Sequence, residues 1–229
     1  MKNPRSLGAL TEEVTKCRLC PRLVEWRERA SADAPKRYAG QRYWARPVPG
    51  FGDPSASVLA VGLAPAADGG NRTGRIFTGD SSGDFLFASL HRTGYANQPT
   101  SENRGDGLRL EDAYVAAVNR CAPPRNRPTP EERENCLPYL VRELELLKGV
   151  RVLVALGEFA WGGALRVISA LGHPIPRPRP RFAHGAEVQL GLYVLLGSYH
   201  PSQRNTFTGV LTEEMLDGIF RRARSLTEG

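Results

Sequence analysis

Four short, continuously apolar runs punctuate the chain: SVLAVGL at 57–63, AYVAAV at 113–118, VRVLVAL at 150–156 and LYVLLG at 192–197. Runs of this length, closed by Gly, Pro or polar residues, predict strands buried on both faces, as in a parallel sheet. Between them the pattern turns helical. It predicts helices over 83–93, over 158–171, from Thr212 onward, and from a start marked by Thr129, Pro130, Glu131 and Glu132. Ahead of the first strand, residues 6–30 read as a helix interrupted at Pro21, with Leu19, Leu23 and Trp26 on one face. Residues 31–56, rich in Pro, Gly, Arg and aromatics, read as an irregular arm. The segment HPIPRPRPRFAHG carries proline at alternate positions and is excluded from helix or central strand. Strand–helix alternation predicts an α/β layer fold around a parallel sheet of four strands. We read it as one domain over 1–229, with 1–56 as an N-terminal arm. Ligands bind such sheets at the carboxyl ends of the strands, which singles out the loops after strands one, two and four.

A chain of 229 residues buries roughly 70% of its unfolded surface and needs no disulfide staples. Its four cysteines therefore require another explanation. No apolar run approaches the ~18–20 residues of a membrane span, and the N-terminus carries acids where a signal peptide is apolar. A cytoplasmic location is expected. Of the net charge of +7, an excess of six lies in residues 1–50, which hold eleven basic and five acidic residues. Such a bias suits an anionic polymer such as nucleic acid. However, 27 of the 31 basic residues are Arg, a skew that a G+C-rich genome also produces.

Cys17 and Cys20 form a CxxC, whereas Cys121 and Cys136 are separated by fourteen residues. Disulfides are disfavoured in a reducing cytosol. Structural zinc more usually shows two close CxxC pairs. An iron–sulfur cluster accommodates long, irregular spacings. Both metal readings remain open at this level.

The first strand runs into GLAPAADGGNRTGRIFTGD, residues 62–80. Its glycines let a backbone approach a ligand closely, but it lacks the GxxxxGK[ST] lysine and the GxGxxG spacing of nucleotide loops. Arg72 and Arg75 can hold phosphate, Phe77 can stack on a planar ring, and Asp80 can act on a reaction centre. The plain alternative is a glycine-rich turn with Phe77 in the core. After the fourth strand, His200 precedes Pro201 and the polar run Ser202, Gln203, Arg204 and Asn205. A lone histidine there is commonly structural; the polar run is what packing leaves unexplained.

Taken together, these segments resemble the uracil-DNA glycosylase superfamily, specifically its iron–sulfur type-B enzymes, often called family 5. The likeness is carried by CRLC…RCAPP…NC, GLAPAADGGNRTGRIFTGD, HPSQRNT and YWARPVPGFGD, in order along nearly the whole chain. It implies a three-layer α/β sandwich and a monomer acting on DNA that contains uracil or other deaminated bases. It also implies a [4Fe-4S] cluster on Cys17, Cys20, Cys121 and Cys136. The activity implied is release of uracil, extending to hypoxanthine or xanthine, to start base excision repair. On this reading the base sits against Gly62, Ala64, Ala66 and Phe77, Asn119 reads its edge, and His200 donates to its O2. Arg72, Arg75, Ser202, Gln203, Arg204 and Asn205 face DNA. Arg177, Arg179 and Arg181 form a second basic loop, equally readable as a solvated connection.

The chain departs from better-known relatives at Leu63 and Ala64, where many superfamily members place a carboxylate. Asp80 is the expected substitute, with Asp68 second and a reaction without a protein base third. Asn119 also stands in a different register from the type-A asparagine. Schiff-base lyase chemistry needs an amine, yet Lys2, Lys16, Lys36 and Lys148 all lie outside both motifs, so a monofunctional enzyme is expected. The competing class is a non-catalytic nucleic-acid-binding module holding iron–sulfur or zinc. A nuclease is disfavoured for want of a convergent acidic set.

Overall fold

The computed structural model describes residues 6–228. In chain order, α1 (Leu7–Lys16) and α2 (Pro21–Ala32) precede β1 (Phe51–Gly52), β2 (Val58–Gly62), α3 (Gly70–Thr73), α4 (Ser81–Arg92) and β3 (Ala113–Ala117). There follow α5 (Pro130–Leu146), β4 (Val152–Leu156), α6 (Glu158–Ala170), β5 (Glu187–Leu190), β6 (Tyr193–Ser198), α7 (Gln203–Phe207) and α8 (Glu213–Glu228).

The four expected strands pair in parallel, in the order β3-β2-β4-β6. Val58 stands opposite Ala113 on one side and Val152 on the other. Every residue of β2, β3 and β4 is buried, because helices cover both faces. Val58 and Ala60 point into a core with Phe87, Leu90, Leu216 and Phe220 of α4 and α8. Leu59 and Val61 point the other way, among Leu140, Leu144, Trp161 and Leu165 of α5 and α6. The result is a three-layer sandwich.

The sheet corrects the expectation in one respect. It has six strands, since β1 adds antiparallel to β3 and β5 adds antiparallel to β6. β1 is only two residues long, and β5 reads EVQL with its two polar residues exposed, so neither carries an apolar run. β5 and β6 close as a hairpin at Gly191, whose φ of +64° suits glycine.

The arm is a helix pair. Pro21 is the first residue of α2, where its missing N–H removes no helical bond. Leu19 falls in the break between the helices and is 53% exposed, so it does not share the apolar face with buried Leu23. α1 packs on α5 through Leu10, Val14 and Tyr139.

Two polar linkages fix the chain after β3. Arg120 and Glu143, 1% and 4% exposed at their side chains, form an ion pair at 2.5 Å, with the Tyr114 hydroxyl donating to the same carboxylate at 3.4 Å. Glu132 closes the capping box of α5 with Thr129. It accepts from Arg22 at 2.7 and 2.6 Å, and its backbone oxygen accepts from Asn119 Nδ2 at 3.0 Å. Removing one partner of a buried pair leaves the other charge uncompensated. Glu143→Ala is therefore expected to lose about 3–5 kcal/mol of unfolding free energy, measured by urea denaturation.

Candidate active site

A cleft of about 500 Å³ opens at the carboxyl ends of β2, β4 and β6. Leu63, Ala64, Ala66, Phe77 and Leu156 give it apolar walls, and Asp80, Asn126, Glu158, His200, Ser202, Gln203 and Arg204 bring polar groups to it. This combination suits a flat heterocycle with hydrogen-bonding edges.

Phe77 and His200 face one another with ring centroids 6.0 Å apart. Phe77 has a φ of +51°, an unfavourable backbone conformation for a bulky residue. Two glycines make room for it. A Cβ at Gly62 would stand 2.6 Å from the Phe77 ring, and one at Gly83 would collide with the Phe77 carbonyl oxygen at 1.9 Å. His200 is held by Asn205, whose Nδ2 donates to the His200 backbone oxygen at 2.9 Å. Burial lowers the His200 pKa from 6.5 to about 4. The ring is thus neutral near pH 7 and keeps one N–H to donate.

Asp80 is the N-cap of α4, where Oδ1 accepts from the Ser82 and Gly83 amides at 3.0 Å each. Its Oδ2 lies against Gly69, where a Cβ would stand 1.9 Å away. Burial raises the Asp80 pKa, opposed by those two amides and by Arg72. One oxygen caps the helix while the second stays available, so the same residue can serve fold and chemistry.

Several sequence-based assignments do not survive the geometry. Gly62 lies behind Phe77 and does not line the cleft. Asn119 is fully buried and bonded to the α5 start, so its amide does not reach the base space. Asp68 accepts from the Tyr43 hydroxyl at 3.0 Å and lies 3.8 Å from Arg37, away from the cleft. Arg75 is 4% exposed and forks onto Asp106 at 2.9 and 2.5 Å, fixing the loop rather than facing DNA. Burial alone would raise the Asp106 pKa, but Arg75 and three backbone amides hold it well below the usual range. Arg72 spends its guanidinium on the Asp68 and Gly79 carbonyls and Gln41, and stacks on Tyr38 at 4.1 Å. Asn205 braces His200. Ala64, Ala66, Phe77, Asp80, His200, Ser202, Gln203 and Arg204 do converge.

Asn126 lines the cleft where Asn119 was expected. It has a φ of +55°, directly after Arg125 at +53°, a conformation that Asn tolerates better than most residues. Its place in the proline-rich turn APPRNRPTP was the available signal.

The four cysteines form no disulfide and line one narrow space between α2, the segment after β3, and α5. Burial raises the pKa of Cys20, that of Cys121 to about 12 and that of Cys136 to about 11. Arg27, 2% exposed, donates from Nη1 to Cys121 Sγ at 2.9 Å and from Nη2 to the Cys17 carbonyl at 3.3 Å. Its Nε is buried without a partner. A buried cation beside four thiols fits a group that carries negative charge there. Among the described residues, no three His, Cys, Asp or Glu side chains converge on a single-ion position.

Comparison with known proteins agrees with this geometry. The family model of the uracil DNA glycosylase superfamily matches residues 49–224. A type-5 uracil-DNA glycosylase of Mycobacterium tuberculosis is 52% identical over 223 residues, covering 96% of this chain and 82% of that protein. The type-5 enzyme of Thermus thermophilus is 49% identical over 221 residues, 95% of this chain and 97% of its own. A type-4 enzyme of Pyrobaculum aerophilum is 30% identical over 184 residues, 79% and 81% respectively. With the fold, the cleft and these similarities in agreement, the chain belongs to the uracil-DNA glycosylase superfamily.

Proposed function

We propose that this chain is a monofunctional DNA glycosylase that extrudes uracil from DNA and hydrolyses its N-glycosidic bond, initiating base excision repair. The observation that carries this reading is the neutral His200 facing Phe77 across a cleft that also holds Asp80. An extruded base enters the apolar slot and stacks on Phe77. As the C1′–N1 bond breaks, its electron pair passes to the uracil ring. His200 donates to O2, where the negative charge collects, and a neutral donor avoids the cost of burying an imidazolium. Water adds to C1′ and gives its proton to Asp80, whose burial-raised pKa makes it a better base than an exposed carboxylate. Asn126 offers an amide to the Watson–Crick edge. Ala64 and Ala66 leave the wall unobstructed, which supports acceptance of hypoxanthine and xanthine as well. Lys16, Lys36 and Lys148 do not line the cleft, and Lys2 lies outside the described residues. We take the enzyme to act on cytoplasmic DNA as a monomer. No helix among the described residues is long and apolar enough to cross a membrane.

The residues around that narrow space support a [4Fe-4S] cluster held by Cys17, Cys20, Cys121 and Cys136, in preference to a lone zinc. Ligation by four cysteines suits a multi-iron group, and Arg27, with Asn135 donating to Cys20 at 3.5 Å, supplies N–H···S bonds. When bound, the cluster contributes cross-linking of the arm to the segment after β3 and takes no part in base release. Purified protein is expected to be brown and to contain iron and inorganic sulfide, and Cys121→Ser to lose both. Zinc in their place would reject the cluster.

His200→Ala is expected to lower the single-turnover rate of uracil release by about 10²–10³-fold. Asp80→Asn keeps a competent helix cap yet removes the base, so it is expected to lower the rate by about 10²–10⁴-fold at unchanged melting temperature. A wild-type rate in Asp80→Asn would assign the reaction to water activated without a protein base. Because the folded pKa of His200 lies below 6.5, the unfolded chain takes up its proton first. Stability from keeping the ring neutral is present above pH ~6.5 and is lost as pH falls toward 4. His200→Gln is expected to flatten the fall of the urea midpoint across that window.

A further inference from the structure

Beside the base cleft lies a second cavity, of about 410 Å³, with Glu158 and Phe159 on the wall common to both. Arg133 of α5, Arg166 of α6 and Arg179 of the proline-rich loop reach it from three separate elements. Arg179 is steered there by donating from Nη2 to the Gly162 carbonyl at 3.3 Å. Arg166 pairs with Glu134. The Nε of Arg133 is buried with no hydrogen-bond partner.

Gly162, on the floor of this cavity, is the second informative feature. Glycine inside a helix is less favourable than alanine, so its presence asks for a reason. The adjacent Gly163 has one in packing, since a Cβ there would stand 2.4 Å from Val118. At Gly162 a Cβ would meet nothing within 4 Å. No protein atom occupies the space that this glycine leaves open, and the residue lines the cavity.

We propose that this arginine-lined cavity binds a backbone phosphodiester of the DNA strand next to the extruded nucleotide. The inference rests on DNA being the substrate. Guanidinium forks match phosphate oxygens, and the shared wall puts the phosphate within one nucleotide of the base. Phe159, 55% exposed, stands between the two spaces. Glu158 is the one carboxylate on the lining and stands on the wall shared with the base cleft, against three arginines. Of the three arginines in the proline-rich segment, only Arg179 is placed in this cavity.

The test compares wild type, Arg133→Gln and Gly162→Glu in equilibrium binding to a duplex containing 2′-fluoro-deoxyuridine, which resists cleavage, over graded salt. Each variant is expected to bind about tenfold more weakly and to flatten the slope of log K against log salt by about 0.9. Gly162→Glu is expected to melt no lower than wild type, since it removes a helical glycine, which separates lost binding from lost folding. In duplexes with single methylphosphonates around the uracil analogue, one position is expected to cost wild type about tenfold and Arg133→Gln nothing further. Wild-type affinity and slope in both variants would overturn the proposal, as would the absence of such a position. Binding of inorganic phosphate that the variants lose, with the methylphosphonate scan unchanged, would assign the cavity to a free anion instead. Uracil release is assayed separately on ordinary uracil duplex, so its absence would count against the glycosylase reading while the binding data still judge the cavity.

Discussion

Glu132 is the joint on which the site depends. Its carboxylate closes the first turn of α5 and takes both arms of Arg22 from α2, while its backbone oxygen holds Asn119 at the end of β3. One residue thus joins the arm, the sheet and a helix start, and it brackets the loop that carries Cys121 and Asn126. Arg22 also donates to the Arg127 carbonyl at 3.2 Å, beside two successive residues in the left-handed region. Such residues persist only where surrounding contacts over-determine them. The charge-assisted fork of Arg22 on a desolvated carboxylate is strong enough to do so. The cysteine-bearing arm and the wall of the cleft are in this way mechanically connected.

The same economy shapes the loop that carries Phe77 and Asp80. Phe77 presents its ring to the cleft because Gly62 leaves room for the ring and Gly83 for its backbone carbonyl. Asp80 caps α4 with one oxygen and leaves the other without a hydrogen bond, against Gly69 at the edge of the cleft. Arg75, pinned to Asp106, stiffens the loop from below. Catalysis by fixed donors requires that little reorganise as charge develops, and this loop is anchored at nearly every second residue.

The basic excess of the arm has a different role from the one composition suggested. Lys16, Arg18, Arg22, Arg29 and Arg37 all lie in ion pairs with carboxylates, and Arg27 is buried against Cys121. Most of that charge holds the arm to itself and to the body. The cationic groups in and next to the base cleft come from α5, α6, the proline-rich loop and Arg204 of α7, far along the chain from the cluster of basic residues in its first fifty positions.

Local pattern was sufficient for much of this protein. Strands buried on both faces must be continuously apolar, so β2, β3, β4 and β6 were legible, as were the helix start at Thr129 and the break at Pro21. The edge strands were not, because two residues or an EVQL alternation carry no signal of their own until a neighbour supplies hydrogen bonds. Motif spacing singled out Phe77, Asp80, His200 and the four cysteines as candidates, since their chemistry is rare enough to stand out. It could not separate Asn119 from Asn126, or an arginine that holds a loop from one that lines a cavity. Those distinctions depend on which way a side chain leaves the backbone and what lies opposite it. That is decided by a φ of +55° at Asn126, by Asp106 beneath Arg75, and by the empty space above Gly162, all of them consequences of tertiary packing.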